Sequence, residues 1–215
     1  MFVILNFKAY SSFEGVKAVN AVKLAGFIPT RGYSLVSCPP TSGLSESVKA
    51  ASGKTLVFAQ SADAVEPGKN TGKTTLEQLK AIGVSGVLIN HSENRIPLKQ
   101  ILFLLNRARK LGLKTVVCAR NLREVRKFSS LHPWAVAFEP PQLIGGRISV
   151  SSAQPRIIAD GVKAVGGKCL FFAGAGVNSR ADLIVSKKLG ASGVLIASAF
   201  YRASDKRRFL QKLLA

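Results

Sequence analysis

Residues 86–97 read GVLINHSENRIP, and the change of character inside this stretch decides how the chain is folded. Its opening residues are apolar without alternation, which suits a strand covered on both faces, as in a parallel sheet packed between helices. Asn90 and His91 end that run, and HSENRIP reads as the start of a helix with Ser92 at the cap. A polar, titratable side chain is thus set at the carboxyl end of a buried strand.

The same beat recurs outward in both directions. Apolar, β-branched runs stand at FVILNF (2–7), YSLVSC (33–38), TLVFAQ (55–60), KTVVCA (114–119), WAVAFE (134–139), CLFFAG (169–174) and GVLIAS (193–198). Helical spacing lies between them, as in 12–26, 97–112 and 182–190. Leu98, Ile101, Leu102 and Leu105 supply an i, i+3, i+4, i+7 stripe. Gly26, Gly83, Gly112 and Gly190 each follow a periodic stretch and read as helix stops. Such alternation suggests a closed (β/α)8 barrel forming one domain over residues 1–215, although alternation alone also fits an open doubly wound sheet. The position of the polar residues favours the barrel. Asn6 and Lys8 follow the first run, His91 the fourth and Glu139 the sixth, with glycine-rich turns after the last three. Chemistry-capable groups therefore collect at one end of the sheet.

Composition narrows the function classes. The chain has 215 residues, 47% of them apolar, enough for a sizeable core. No apolar window is long enough to span a membrane, and the amino terminus lacks the basic region of a signal peptide. Cys38, Cys118 and Cys169 stand singly in or beside apolar runs, which predicts reduced thiols in a cytoplasm and neither disulfides nor a zinc site. The net charge of +20 raises the question of nucleic acid. Its lysines and arginines are spread over nearly every segment with few aromatics among them, so a basic surface that steers an anionic substrate is preferred, and nucleic acid is not expected as a partner. PGKNTGKTT (67–75) resembles a nucleotide-binding loop, but it is one residue short between its glycines and lies too far from the preceding strand.

His91 against a helix start would feel a positive partial charge that favours the neutral ring, able to donate a hydrogen bond to a substrate oxygen; a capping or buried histidine is an equally plain reading. His132, before a proline, reads as a turn residue. Glu139, followed by Pro140 and Pro141, is either a functional half-buried carboxylate or a solvated one, and QLIGG after the prolines has the composition of a closing lid. Asn6 and Lys8 share one face if the first strand extends through both. AGAGVNSRADL (173–183) and ASAFYRASD (197–205) offer small residues where the seventh and eighth turns of a barrel bind phosphate.

Taken in order, NFK (6–8), NHSENR (90–95), AFEPPQLIGG (137–146), AGAGVNS (173–179) and GVLIAS (193–198) resemble the triosephosphate isomerase family in its short archaeal form, over essentially the whole chain. The resemblance implies interconversion of dihydroxyacetone phosphate and glyceraldehyde 3-phosphate without metal or organic cofactor. Glu139 would be the base, His91 the polarising group and Lys8 the positive charge, with Asn6 helping to place it and Glu93 holding Lys8 or the helix start. A lid from Pro140 to about Gly146 would close with the Ile144 amide on the phosphate, and the amides of Gly176, Ala197 and Ser198 would complete the cradle. NTG (70–72) resembles the family's protruding third loop, so Thr71 would reach into a neighbouring subunit of a homodimer or homotetramer. The chain departs from the pattern at Asn70, where His is usual, at Ala173 for Cys, at Ala199 for Gly, and in a lid carrying Gly145–Gly146.

Overall fold

The computed structural model describes residues 1–140 and 155–215. Eight parallel strands close into a barrel in sequence order: β1 (Phe2–Asn6), β2 (Ser34–Cys38), β3 (Leu56–Ala59), β4 (Gly86–Ile89), β5 (Lys114–Ala119), β6 (Ala135–Phe138), β7 (Leu170–Ala173) and β8 (Gly193–Ile196). β1 pairs with β2 on one side and β8 on the other, which completes the closure. Helices alternate with them: α1 (Val16–Gly26), α2 (Leu44–Ala51), α3 (Leu76–Ala81), α4 (Leu98–Leu111), α5 (Leu122–Ser129), α6 (Pro155–Val165), α7 (Arg180–Lys188), α8 (Ser198–Arg202) and α9 (Lys206–Leu214). No helix among the described residues is long and apolar enough to cross a membrane.

The uninterrupted apolar runs have the expected cause. Alternate residues of each strand face two different apolar shells. Ile4, Val36, Phe58, Leu88, Val116 and Phe172 fill the barrel, while Val3, Leu5, Val87, Ile89, Val117 and Val136 meet the helices outside. The amino-terminal half of the interior is aromatic. Trp134 meets Phe2, Phe58 and Phe172 edge-on, with centroids 4.8, 5.8 and 5.4 Å away. Gly86 and Gly193 make room for these rings: a Cβ would come within 2.6 Å of Phe58 at the first and 2.7 Å of Phe172 at the second.

Three local expectations change. The chain after β4 forms a turn closed by the Asn94 amide on the His91 carbonyl (2.8 Å), and α4 starts only at Leu98 with Pro97 at its N-cap. Proline disfavours helical backbone in the residue before it, so the helix cannot begin upstream. The buried stripe of α4 is Ile101, Leu104, Leu105 and Ala108, leaving Leu98 and Leu102 exposed at 37% and 38%. ILFLL is apolar all round, so period alone admits two overlapping stripes, and the docked face is the one carrying the small Ala108. Gly112 caps α4 in left-handed backbone (φ 67°), and Gly83 and Gly190 also have positive φ. Gly26 instead ends α1 from within, where a Cβ would press on Lys54 Cβ at 3.2 Å.

Candidate active site

One cleft opens at the carboxyl ends of the strands, lined by Asn6, Lys8, His91, Glu139, Gly176 and Ser198 among others. β1 ends at Asn6, so Asn6 and Lys8 do not lie together on a strand. The Asn6 side chain captures the Lys8 amide at 3.0 Å, a local bond that competes with continued strand. Lys8 itself takes left-handed backbone (φ 49°). A non-glycine residue there carries strain that its surroundings must hold, and Gln60 does so by donating to the Lys8 carbonyl (3.1 Å) and the Cys38 carbonyl (2.8 Å). The ammonium of Lys8 is thereby directed across the cleft to Glu93 Oε1, 2.5 Å away. Glu93 holds Lys8, as expected.

His91 is buried beneath the turn that follows β4. The Glu93 amide donates to His91 Nδ1 at 3.2 Å. A nitrogen that accepts carries a lone pair, so this contact suits the tautomer with its N–H on Nε2. The partner of Nδ1 is an amide of the turn and not a helix terminus. Nε2 lies 3.3 Å from Glu139 Oε1. The turn is held from below by Asn90, another left-handed residue (φ 61°). Its side chain donates to the Cys118 carbonyl (3.0 Å) and accepts from the Ile96 amide (3.1 Å). Arg95 adds bonds to the Asn90 and Cys118 carbonyls and an ion pair to Glu124 at 2.8 Å. Asn90 and Arg95 bound the NHSENR motif, though no role was read for either, and Gln60 had no distinguishing pattern in the sequence.

Glu139 follows β6 and is buried, 5% exposed. Among the described residues its Oε2 has no hydrogen-bond partner. A carboxylate oxygen in this state is unfavourable unless something else occupies the cleft. Gly174 is what admits the side chain: a Cβ there would sit 2.4 Å from Glu139 Cγ. The first glycine of the GAG turn therefore serves the carboxylate as well as the turn. Below lies Cys118, whose thiol is pushed well up by burial and then by the negative charge of Glu139. It remains a neutral S–H.

The opposite wall comes from the turns after β7 and β8. Gly176 takes positive φ (70°), and Asn178 donates to its carbonyl at 3.0 Å. Ser179 and Asp182 close a reciprocal cap on α7. Ala197 and Ser198 stand at the start of α8, where backbone amides lack intrahelical partners and favour an anion. Ala199 lines the cleft too. Tyr10 from the first loop lies in the lining and stacks on Tyr201 of α8, centroids 3.8 Å apart at 14°. This stack was not anticipated. The expected lid beyond Pro140, with the Ile144 amide and the Gly145–Gly146 pair, lies outside the described residues. Thr71 is exposed in the loop before α3, which is braced by Asp63 through the Thr74 amide (2.8 Å) and Lys73 (3.1 Å).

The sequence model of the triosephosphate isomerase family matches residues 1–213. The triosephosphate isomerase of Archaeoglobus fulgidus is 38% identical over 215 residues, covering 99% of this chain and 96% of its own. That of Caldivirga maquilingensis is 41% identical over 207 residues, covering 94% and 91%. That of Methanopyrus kandleri is 36% identical over 217 residues, covering 99% and 96%. With a whole-chain family match and a barrel whose cleft unites a lysine, a histidine and a buried carboxylate, the chain belongs to the triosephosphate isomerase family.

Proposed function

We propose that the isomerisation of triose phosphate, which family membership gives this chain, runs through Glu139 as the base. The observation that carries this reading is the buried Glu139 Oε2, without a partner among the described residues, beside His91, whose Nδ1 accepts the Glu93 amide and whose Nε2 faces Glu139. The family is itself a standing example of a carboxylate paired with a neutral histidine. Glu139 removes the proton from the carbon next to the carbonyl of dihydroxyacetone phosphate. The electron pair moves onto the carbonyl oxygen, and His91 donates its Nε2 proton there. His91 then takes the proton of the neighbouring hydroxyl, and Glu139 returns its proton to the former carbonyl carbon, leaving glyceraldehyde 3-phosphate. Atoms and charge balance, and both groups end as they began.

Lys8 supplies positive charge to the phosphate and the developing oxyanion, and Asn6 keeps it in place through its amide. Glu93 is exchanged for substrate when the anion arrives. The amides of Gly176, Ala197, Ser198 and Ile144 hold the phosphate in this reading, with the segment after Pro140 as the lid that excludes water. A second copy of the chain engages through the loop around Thr71, as a dimer or tetramer. Free thiols at Cys38, Cys118 and Cys169 are consistent with a cytoplasmic location.

The test is a coupled assay in both directions on wild type and Glu139→Gln. Turnover in the wild type that falls about 10⁴-fold in the variant, with an unchanged melting temperature, supports the base. A loss of less than about tenfold removes Glu139 from that role.

A further inference from the structure

The lysines and arginines occur at both ends of the barrel, but the carboxylates that offset them are gathered at one. Each helix begins near the carboxyl ends of the strands and returns toward their amino ends. Of the 11 Asp and Glu residues, only Asp160 lies outside strand-to-helix loops, caps and first helical turns. At the other end, every helix from α1 to α7 has Lys or Arg in its last turn. Among the described residues no Asp or Glu side chain stands in a helix's last turn or in a loop leading into a strand.

Helix dipoles account for part of this ordering, but not for all of it. Arg31 and Lys54 lie in the loops before β2 and β3, beyond any helix, and both are exposed. Two aromatic side chains lie among them. Phe27 is 54% exposed with Lys54 Nζ 3.9 Å from its ring centroid. Tyr33 is half-buried with Lys187 Nζ 5.8 Å away. Lys188 stands beside Lys187, also exposed. Cations set over accessible rings are what a strand of nucleotides meets in proteins that track its backbone and stack its bases.

We propose that this face, at the end of the barrel opposite the catalytic cleft, binds single-stranded nucleic acid. Arg31, Lys54, Lys187 and Lys188 take the phosphates, and Phe27 and Tyr33 offer surfaces for bases. A duplex would hide its bases from those rings. A bilayer would require an apolar wedge, and among the described residues the large apolar side chains exposed at this end are only Phe27 and Ile82. The binding is independent of the isomerase reaction, because no residue of the face lines the cleft.

The experiment is fluorescence anisotropy of a labelled oligouridylate of about 20 nucleotides, titrated with the intact protein between about 50 and 200 mM salt. Wild type is expected to bind with an affinity that falls steeply as salt rises. Lys54→Glu with Lys187→Glu should weaken binding at least tenfold and flatten the salt slope by about 1–2, leaving kcat and KM of the isomerase unchanged; that activity also reports an intact fold. Lys17→Glu with Lys99→Glu, the same charge change at the opposite end, should have a far smaller effect. Phe27→Ala should weaken the single strand and spare a duplex of equal length. Equal weakening by the two charge pairs, no binding by wild type at the lowest salt, or capture of anionic vesicles in preference to the oligonucleotide would each overturn the proposal.

Discussion

Gly174 carries a hydrogen where alanine would carry a methyl group, and the seat of the Glu139 carboxylate depends on that difference. A Cβ at this position would lie 2.4 Å from Glu139 Cγ and 2.9 Å from the Phe138 carbonyl. Gly174→Ala should therefore displace the base by a fraction of an ångström to about one ångström, lowering kcat about 10²-fold. Its cost to stability should be about 1–3 kcal/mol; a stopped assay and a thermal melt read the two effects separately. His91→Gln should cost about 10²–10³ in kcat, less than loss of Glu139, because the base and the phosphate contacts remain. Single-turnover kinetics with a deuterated substrate would show whether proton transfer has become limiting. Residue identity at strand ends was legible: Asn6, Lys8, His91 and Glu139 all border the cleft. Their supports were not. The bonds that Gln60, Asn90 and Arg95 make are long-range and go to backbone carbonyls, so the NHSENR motif that holds two of these residues did not show what they support, and Gly174 looks like any turn glycine until the carboxylate is seen against it.

Elements were legible where burial sets a period and less so where turns decide. All eight apolar runs became strands, since an uninterrupted run buried on both faces has few alternatives. α4 begins at Leu98 and not in the polar HSEN, because Pro97 disfavours helical backbone in the residue before it. Between elements, the Tyr10–Tyr201 stack joins the loop carrying Lys8 to the helix that starts at Ser198. Parallel rings are worth about 0.5–1.5 kcal/mol beyond their area. Tyr201→Ala should loosen the two walls relative to each other and raise KM about three- to tenfold with little change in kcat. Tyr201→Phe should restore KM, and a drop confined to kcat would count against the link. A second set of contacts ties loops to helices through carboxylates. Burial works against ionisation of Asp63, Glu77 and Glu124, yet amide and cation partners prevail and hold all three below their usual range. Their folded values lie below the unfolded ones, so the stabilisation is complete above about pH 5 and is lost as acid protonates them below about pH 4. Melting temperature should be flat from about pH 5 to 8 and fall below that. Glu124→Gln, which breaks the pairs with Arg95 and Arg120, should remove part of the acid sensitivity.

At the scale of the whole molecule, alternation alone also fits an open sheet, and it was the polar residues at the strand ends that favoured a closed barrel; the pairing of β1 with β8 bears this out. Charge was the property least legible. Helix ends distant in sequence converge in space, so a composition that reads as scatter becomes a polarised body. Association is tested at the loop before α3. Thr71→Arg should shift the protein to monomer in analytical ultracentrifugation and lower turnover at least tenfold; an associated, active variant would exclude that loop as the contact. The aromatic floor formed by Phe2, Phe58, Trp134 and Phe172 has its own consequence. Among the described residues it fills the amino-terminal end of the barrel, so the cleft is a blind cup whose mouth is at the carboxyl end. Ketose and aldose are isomers of equal size and charge, so each must queue at the same opening and occupy the same seat. Traffic in one direction is throttled by the other, and accumulated product should inhibit in a purely competitive way at every substrate concentration.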